Sequence, residues 1–193
     1  MLPAARYSRL VGSWVGVGIG IPLLIRADLG VAPFDVLTTG VHEAVGWSLG
    51  LCFIAVSVVF FALGGLLGGT LGWACIAGTV VIGQLVNLVL PFLPEVHALA
   101  PRVAMLLVAI AIIAVAICMV ITTELGPGPT EVVMLGLVHR GMGIVPARWI
   151  SDGTPVVLGA LIGGSLGPGT VLFALVLGPA VKLGLRRLHY TPH

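Results

Sequence analysis

Charge is the scarcest ingredient of this chain. Nine Lys and Arg with seven Asp and Glu make up only 8% of its 193 residues, where a water-exposed domain carries about a quarter. A soluble fold of this size has too little polar surface to cover the 59% of residues that are hydrophobic. Basic runs interleaved with aromatics are absent, which argues against nucleic acid as a partner. Cysteine is limited to Cys52, Cys75 and Cys118, all inside apolar segments at spacings unlike a metal or redox pattern, so they read as small core residues without chemistry. His42 and His139 have no metal-ligand spacing around them. The chain contains no His-Glu-x-x-His, no Gly-x-Ser-x-Gly and no glycine loop ending in Lys-Ser/Thr. Nothing in the sequence supports an enzyme, and neither metal nor cofactor is assigned.

What the chain has is long apolar runs. A helix rises about 1.5 Å per residue, so roughly 20 apolar residues cross a hydrocarbon core of about 30 Å, and several stretches approach that length. Backbone amides in lipid must pair internally, and these runs lack the alternation of barrel strands, so an all-α membrane bundle is expected with the lipid bilayer as solvent. Arg6 and Arg9 ahead of the run Leu10 to Ile25 resemble a signal peptide, but no small-x-small cleavage site follows; a retained first helix is expected.

The sequence matches itself. A shift of 96 residues lays Asp28-Leu29-Gly30 and Pro33-x-Asp35-Val36 on Glu124-Leu125-Gly126 and Pro129-x-Glu131-Val132, with Gly40 on Gly136. A shift of 95 lays Gly64 through Gly72 on Gly159 through Gly167 with six identities in nine positions. Two matches in nearly one register indicate tandem repeats, residues 1–98 and 99–193, within one membrane domain. Each repeat reads as a long helix, a short motif helix and two more long helices: 10–26, 33–46, 48–69 and 73–92, then 103–122, 129–142, 146–167 and 170–187. Pro33 and Pro129 suit a first helical position. The segments they open are too short to cross alone, which gives six transmembrane helices and inverted repeats; eight crossings with parallel repeats follow if each short helix completes a span with its loop. Helix length favours six. Either count puts both termini, with Arg6, Arg9, Lys182, Arg186 and Arg187, on the cytoplasmic side, and six leaves Arg26 and Arg102 outside.

Glycines recur every fourth residue at Gly12, Gly16 and Gly20, at Gly64, Gly68 and Gly72, and at Gly159, Gly163 and Gly167. Such faces let helix backbones approach in lipid, where apolar burial gives no reason to associate. They are read as helix packing, with a sliding surface as the functional alternative. Four of the seven acids, Asp28, Asp35, Glu124 and Glu131, fall at matched motif positions. A first-turn carboxylate such as Asp35 or Glu131 can simply satisfy free amides at a helix N-terminus; near the bilayer middle it can instead hold an ion or a substrate. Arg148 and Asp152, four residues apart, share one helix face inside an apolar segment, and charges so placed tend to mark pathways or proton relays. The plainer account is a snorkelling interfacial pair beside Trp149. Asn87, Gln84, Thr122 and Thr123 read as interhelical hydrogen-bonding groups.

The run Leu29-Gly30-x-x-Pro33-x-Asp35-Val36-Leu37, followed by Gly40 and Gly46-Trp47-Ser48-Leu49-Gly50, resembles the YczE/YyaS/YitT family of bacterial membrane proteins. The second half is similar through Arg148-x-x-x-Asp152, Leu158-Gly159, Gly163-Gly164-x-x-Gly167-x-Gly169-Thr170 and Gly178-Pro179. The first half departs at Ala74-Cys75, where Gly-Thr is expected after Gly72, and at Asn87, where an acid is common. The resemblance implies a bacterial cytoplasmic-membrane protein and carries little about activity.

The function expected is a small secondary transporter or exporter of a small molecule or ion, with Asp35, Glu131, Arg148, Asp152 and Thr170 along its pathway. The alternative is a non-transporting scaffold or regulator whose glycine faces dock a partner helix or a second copy. An intramembrane enzyme comes third.

Overall fold

The computed structural model describes residues 3–123, 125–126 and 128–187. Among these there are only helices: α1 (Pro3–Ala27), α2 (Pro33–Val45), α3 (Leu49–Leu66), α4 (Trp73–Val89) with a 3-10 turn Leu90–Phe92, α5 (Leu99–Ile121), α6 (Pro129–His139), α7 (Ile144–Leu161) and α8 (Pro168–Arg187). α1, α3, α4 with its 3-10 turn, α5 and α8 are long and apolar enough to cross a membrane. α7 matches α3 in length at 18 residues but carries Arg148 and Asp152, which lower its apolar character and set it apart from those five. Large apolar side chains such as Val58, Val59, Leu107, Val115 and Leu175 stand exposed on the long helices, an arrangement suited to lipid contact. Glu124, one of the four motif acids, lies outside the described residues.

Two helices end earlier than their glycine spacing predicts. α3 stops at Leu66 and α7 at Leu161, because Gly68 (φ 94°) and Gly163 (φ 87°) take left-handed conformations that turn the chain out of the helix. The last glycines of each row, Gly72 and Gly167, therefore lie in the turn rather than on a continuous helical stripe.

The centre of the bundle is an antiparallel pair, α1 against α5. A Cβ at Gly12 would meet the tip of Met119, at Gly16 the Ala116 methyl and at Gly20 the Ile113 side chain, so the partner's numbering falls as α1 rises. Both ends are closed in the same way: Arg6 Nε donates to the Thr123 carbonyl at 2.5 Å, and Arg102 Nε to the Ala27 carbonyl at 2.8 Å. The last carbonyls of a helix have no intrahelical donor and carry its negative end, so each arginine supplies both a proton and a charge where one is missing. α4 flanks α1, α8 flanks α5, and the short helices cross over, α2 packing on α7 and α6 on α3. Leu24, Val31, Val36, Leu106, Ile110 and Phe173 form the largest buried cluster, where α1, α5, α8 and the first motif meet.

Candidate functional site

The two motif segments are held by backbone contacts that only glycine allows. A Cβ on Gly164 would sit 2.0 Å from the Val36 carbonyl oxygen, and one on Gly159 would lie 2.4 Å from the Val36 carbonyl carbon. On the other side, a Cβ on Gly69 would sit 2.3 Å from the Val132 carbonyl oxygen and one on Gly64 2.6 Å from the Val132 side chain. Gly167 and Gly72 meet the Leu29 and Leu125 carbonyls in the same fashion, each at 2.4 and 2.3 Å respectively. Gly68 faces His139, and Gly163 has open space around it. The close-packing glycines are thus occupied by backbone of the same chain.

Hydrogen bonds fix the first crossing. The Gly169 amide donates to the Leu29 carbonyl at 2.6 Å, the Val31 amide to the Ser165 carbonyl at 3.3 Å, and the Ser165 amide to Thr39 Oγ1 at 2.9 Å. Thr170 is buried here and caps α8: its hydroxyl accepts the Gly167 amide at 3.4 Å, beside Gly30. Thr170 holds the crossing together rather than joining the charged residues described next.

Glu131, Arg148 and Asp152 come together. Glu131 sits in the first turn of α6 behind Pro129, and α6 packs on α7. Arg148 Nε donates to Asp152 Oδ2 at 2.5 Å and Nη1 donates to Glu131 Oε1 at 2.9 Å, so one guanidinium bridges two carboxylates. Thr130 Oγ1 donates to Glu131 Oε2 at 3.2 Å. The three charged side chains keep 40%, 37% and 30% of their surface exposed for Arg148, Glu131 and Asp152. Pro155, fully buried, follows three residues on and has no amide to give the Ser151 carbonyl, so α7 loses a hydrogen bond next to the ion cluster. The i, i+4 pair was legible from spacing; the third member, Glu131, arrives from another helix.

Asp35 lies elsewhere. It is buried in the first turn of α2, and its Oδ1 has no hydrogen-bond partner among the described residues. Ser57 of α3, wholly buried, likewise has an unpartnered hydroxyl. In the 96- and 95-residue registers Asp35 stands where the second half has Glu131, and Phe53 and Ser57 where it has Arg148 and Asp152. Phe53 packs edge-to-face on Phe34 at 5.5 Å, and Phe34 on Phe60 at 5.3 Å, filling with rings what the other half fills with charge.

Asn87 makes interhelical hydrogen bonds, as its place in an apolar segment suggests. Its Oδ1 accepts the Gly50 amide at 2.9 Å and its Nδ2 donates to Ser48 Oγ at 3.1 Å, clasping α4 to the start of α3. Gly83 deepens that contact by abutting the Gly50 carbonyl and Ile54. Among the described residues α8 makes no such contact along α7, and Gly178, the counterpart of Gly83, has nothing within 4 Å of where a Cβ would be. No group of three or more His, Cys, Asp or Glu suited to a metal occurs among the described residues.

Among the described residues the molecule is all helical, and five helices apolar enough to cross a membrane, beside an ion cluster set into two others, fit the class of helical membrane proteins. The chain belongs to DUF6198, a family of unknown function, which matches residues 4–186. It is similar to an uncharacterized protein of Haemophilus influenzae, 32% identical over 182 residues that cover 92% of this chain and 82% of the relative. No solved structure matches it.

Proposed function

We propose that the chain is a small secondary transporter of the bacterial cytoplasmic membrane, built from two inverted repeats, residues 1–98 and 99–193, that rock about a site at Glu131, Arg148 and Asp152. The observation that carries the reading is the ion cluster itself. Three ionisable groups on crossing helices, beside a proline break, are costly in lipid and are kept where a solute or an ion must be handled.

Several features support inversion. α1 and α5 begin the two halves and run antiparallel, with Arg6 and Arg102, 96 residues apart, making reciprocal caps. Two equivalent helices of opposite direction need an odd number of crossings per half, which favours six over eight. Six crossings with cytoplasmic termini leave Arg26 and Arg102 outside, and both are ion-paired: Arg26 to Glu95 at 2.9 Å and Arg102 to Asp28 at 2.8 Å. The YczE/YyaS/YitT resemblance points to the same membrane. Asp35, buried with an unpartnered oxygen, is the group suited to carry a coupling proton, and Thr170 belongs to the hinge that the crossing loops form. The scaffold alternative loses ground because, of the three glycine rows it needs, every member but Gly163 is met from within the chain.

The test is flux in reconstituted vesicles loaded with a metabolite mixture. Asp152→Asn should abolish uptake or release of one solute while insertion and yield stay at wild-type levels. Unchanged solute profiles for wild type, Asp152→Asn and empty vesicles would remove the transport reading.

A further inference from the structure

The two halves differ where their last two long helices meet. In the first, α4 closes on α3: Asn87 accepts the Gly50 amide and donates to Ser48, and a Cβ on Gly50 would overlap the Gly83 carbonyl oxygen. In the 95-residue register the second half puts Gly143, Val145, Trp149 and Lys182 in the places of Ser48, Gly50, Ile54 and Asn87. Gly143 brings no hydroxyl, a lysine has no acceptor for a helix amide, and a valine cannot stand where a Cβ has no room. α8 is therefore barred from closing on α7 as α4 closes on α3. Trp149 accordingly stands 74% exposed where Ile54 lies against Gly83, and a Cβ on Gly178, the counterpart of Gly83, would meet nothing within 4 Å.

A bilayer fills such a space with an acyl chain, since water needs polar partners that an apolar wall does not offer. Val171, Leu175 and Gly178 share one face of α8, the first two exposed, and the backbone carries that face on to Lys182 and Arg186, one and two turns beyond Gly178. Arg186 and Arg187 are exposed at the helix end. That end is positive with every acid counted. From Thr123 onward the chain has Arg140, Arg148, Lys182, Arg186 and Arg187 against Glu124, Glu131 and Asp152, and Arg148 bridges the last two. A Cβ on Gly184 would meet the Cys118 sulfur, so α8 ends beside the end of α5, where Arg6 and Arg9 of α1 are bonded to Thr123 and Thr122. Lysine and arginine beside an apolar helix face hold an anionic lipid headgroup, the fork of arginine fitting a phosphate.

We infer that the seam between α7 and α8 seats one anionic phospholipid of the bilayer, an acyl chain lying along Val171, Leu175 and Gly178 and the phosphodiester held at Lys182 and Arg186. Trp149, across the seam, takes the place at headgroup level that indole rings favour. The inference rests on lipid as the solvent and stands apart from the transport reading.

The experiment counts bound lipid by native mass spectrometry. Lipid-stripped protein in detergent is titrated with phosphatidylglycerol and with phosphatidylcholine of the same chains. Phosphatidylglycerol should bind at least tenfold more tightly. Gly178→Leu, which adds bulk where a Cβ meets no atom and removes no charge, should weaken it tenfold or more at unchanged melting temperature. Lys182→Gln combined with Arg186→Gln should bring phosphatidylglycerol down to the affinity of phosphatidylcholine. Equal binding of the two lipids overturns the inference, as does binding indifferent to both variants. Loss in the charge variant alone would show diffuse attraction to the positive end and no seat in the seam. A lowered melting temperature for Gly178→Leu would mean that protein fills the space, a disulfide-linked dimer through Gly178→Cys would give it to a second copy, and displacement of the lipid by glycerol phosphate would give it to a soluble phosphate; each overturns the lipid assignment.

Discussion

Arg148 is the residue on which the charged cluster turns. Removing it leaves two carboxylates facing one another, whereas Asp152→Asn leaves Arg148 still bonded to Glu131. Arg148→Met should therefore destabilise the protein more than Asp152→Asn. Loss of one partner from a fully buried pair costs about 3–5 kcal/mol; partial exposure reduces this toward about 1–2 kcal/mol, as it does for ion pairs near a surface. Thermal melts in detergent would check the order, and an equal or reversed ranking would show that the guanidinium does not bridge. Asp35 is the opposite kind of residue. Its buried Oδ1 forms no hydrogen bond among the described residues, so Asp35→Asn should hold stability within about 1 kcal/mol of wild type while flux loses its dependence on a pH gradient. A large stability loss would mean that the carboxylate has a structural partner. Spacing alone exposed the Arg148–Asp152 pair, because four residues is one helical turn; Glu131 was legible as a matched acid but not as a partner, since its contact spans two helices.

At the scale of elements, glycine separates contact from space. Gly164→Ala would push a methyl to 2.0 Å from the Val36 carbonyl oxygen, and backbone cannot retreat as a flexible side chain does, so overpacking should cost about 1–3 kcal/mol or more. Gly69→Ala, 2.3 Å from the Val132 carbonyl, should behave alike. Gly178→Ala meets nothing and lies inside α8, so it should stabilise by about 0.5–1 kcal/mol by removing a flexible residue from a helix. Equal effects at Gly164 and Gly178 would contradict the packing described. Helix positions were readable from apolar runs and from Pro33 and Pro129; the observed boundaries depart from them at the start of α1, which begins at Pro3 where the apolar run begins at Leu10, and most clearly after α3 and α7. There the fourfold glycine spacing concealed turns: a glycine reads the same whether it serves close approach, as Gly164 does, or a left-handed turn, as Gly163 does.

For the whole molecule, the reciprocal arginine caps make a quantitative demand. Arg6→Ala and Arg102→Ala each remove a charge-assisted bond to a terminal carbonyl at the two ends of one helix pair. Each should cost about 1–2 kcal/mol, with Arg102→Ala the larger by about a few tenths because it also loses an exposed ion pair to Asp28. Antiparallel α1 and α5 also predict that their starts face opposite sides of the membrane. Cysteines at Ala4 and His97, both exposed, should label from opposite sides in intact cells and inverted vesicles, and the buried Cys52, Cys75 and Cys118 should leave little background. Labelling of both from one side would refute inversion.

Composition by itself pointed to lipid as the solvent and to helix as the secondary structure, since a chain with so little charge and such long apolar runs can satisfy its amides in lipid only by coiling. Self-similarity in the sequence also marked Asp35, Glu131 and the glycine rows as matched positions of the two halves. Only the tertiary structure decided which half's glycines receive which motif, that Glu131 joins Arg148, and that one half is clasped by Asn87 while the other stands open at Gly178. Those are contacts between residues tens of positions apart, and a local pattern of polarity carries no record of which distant backbone comes to lie against it.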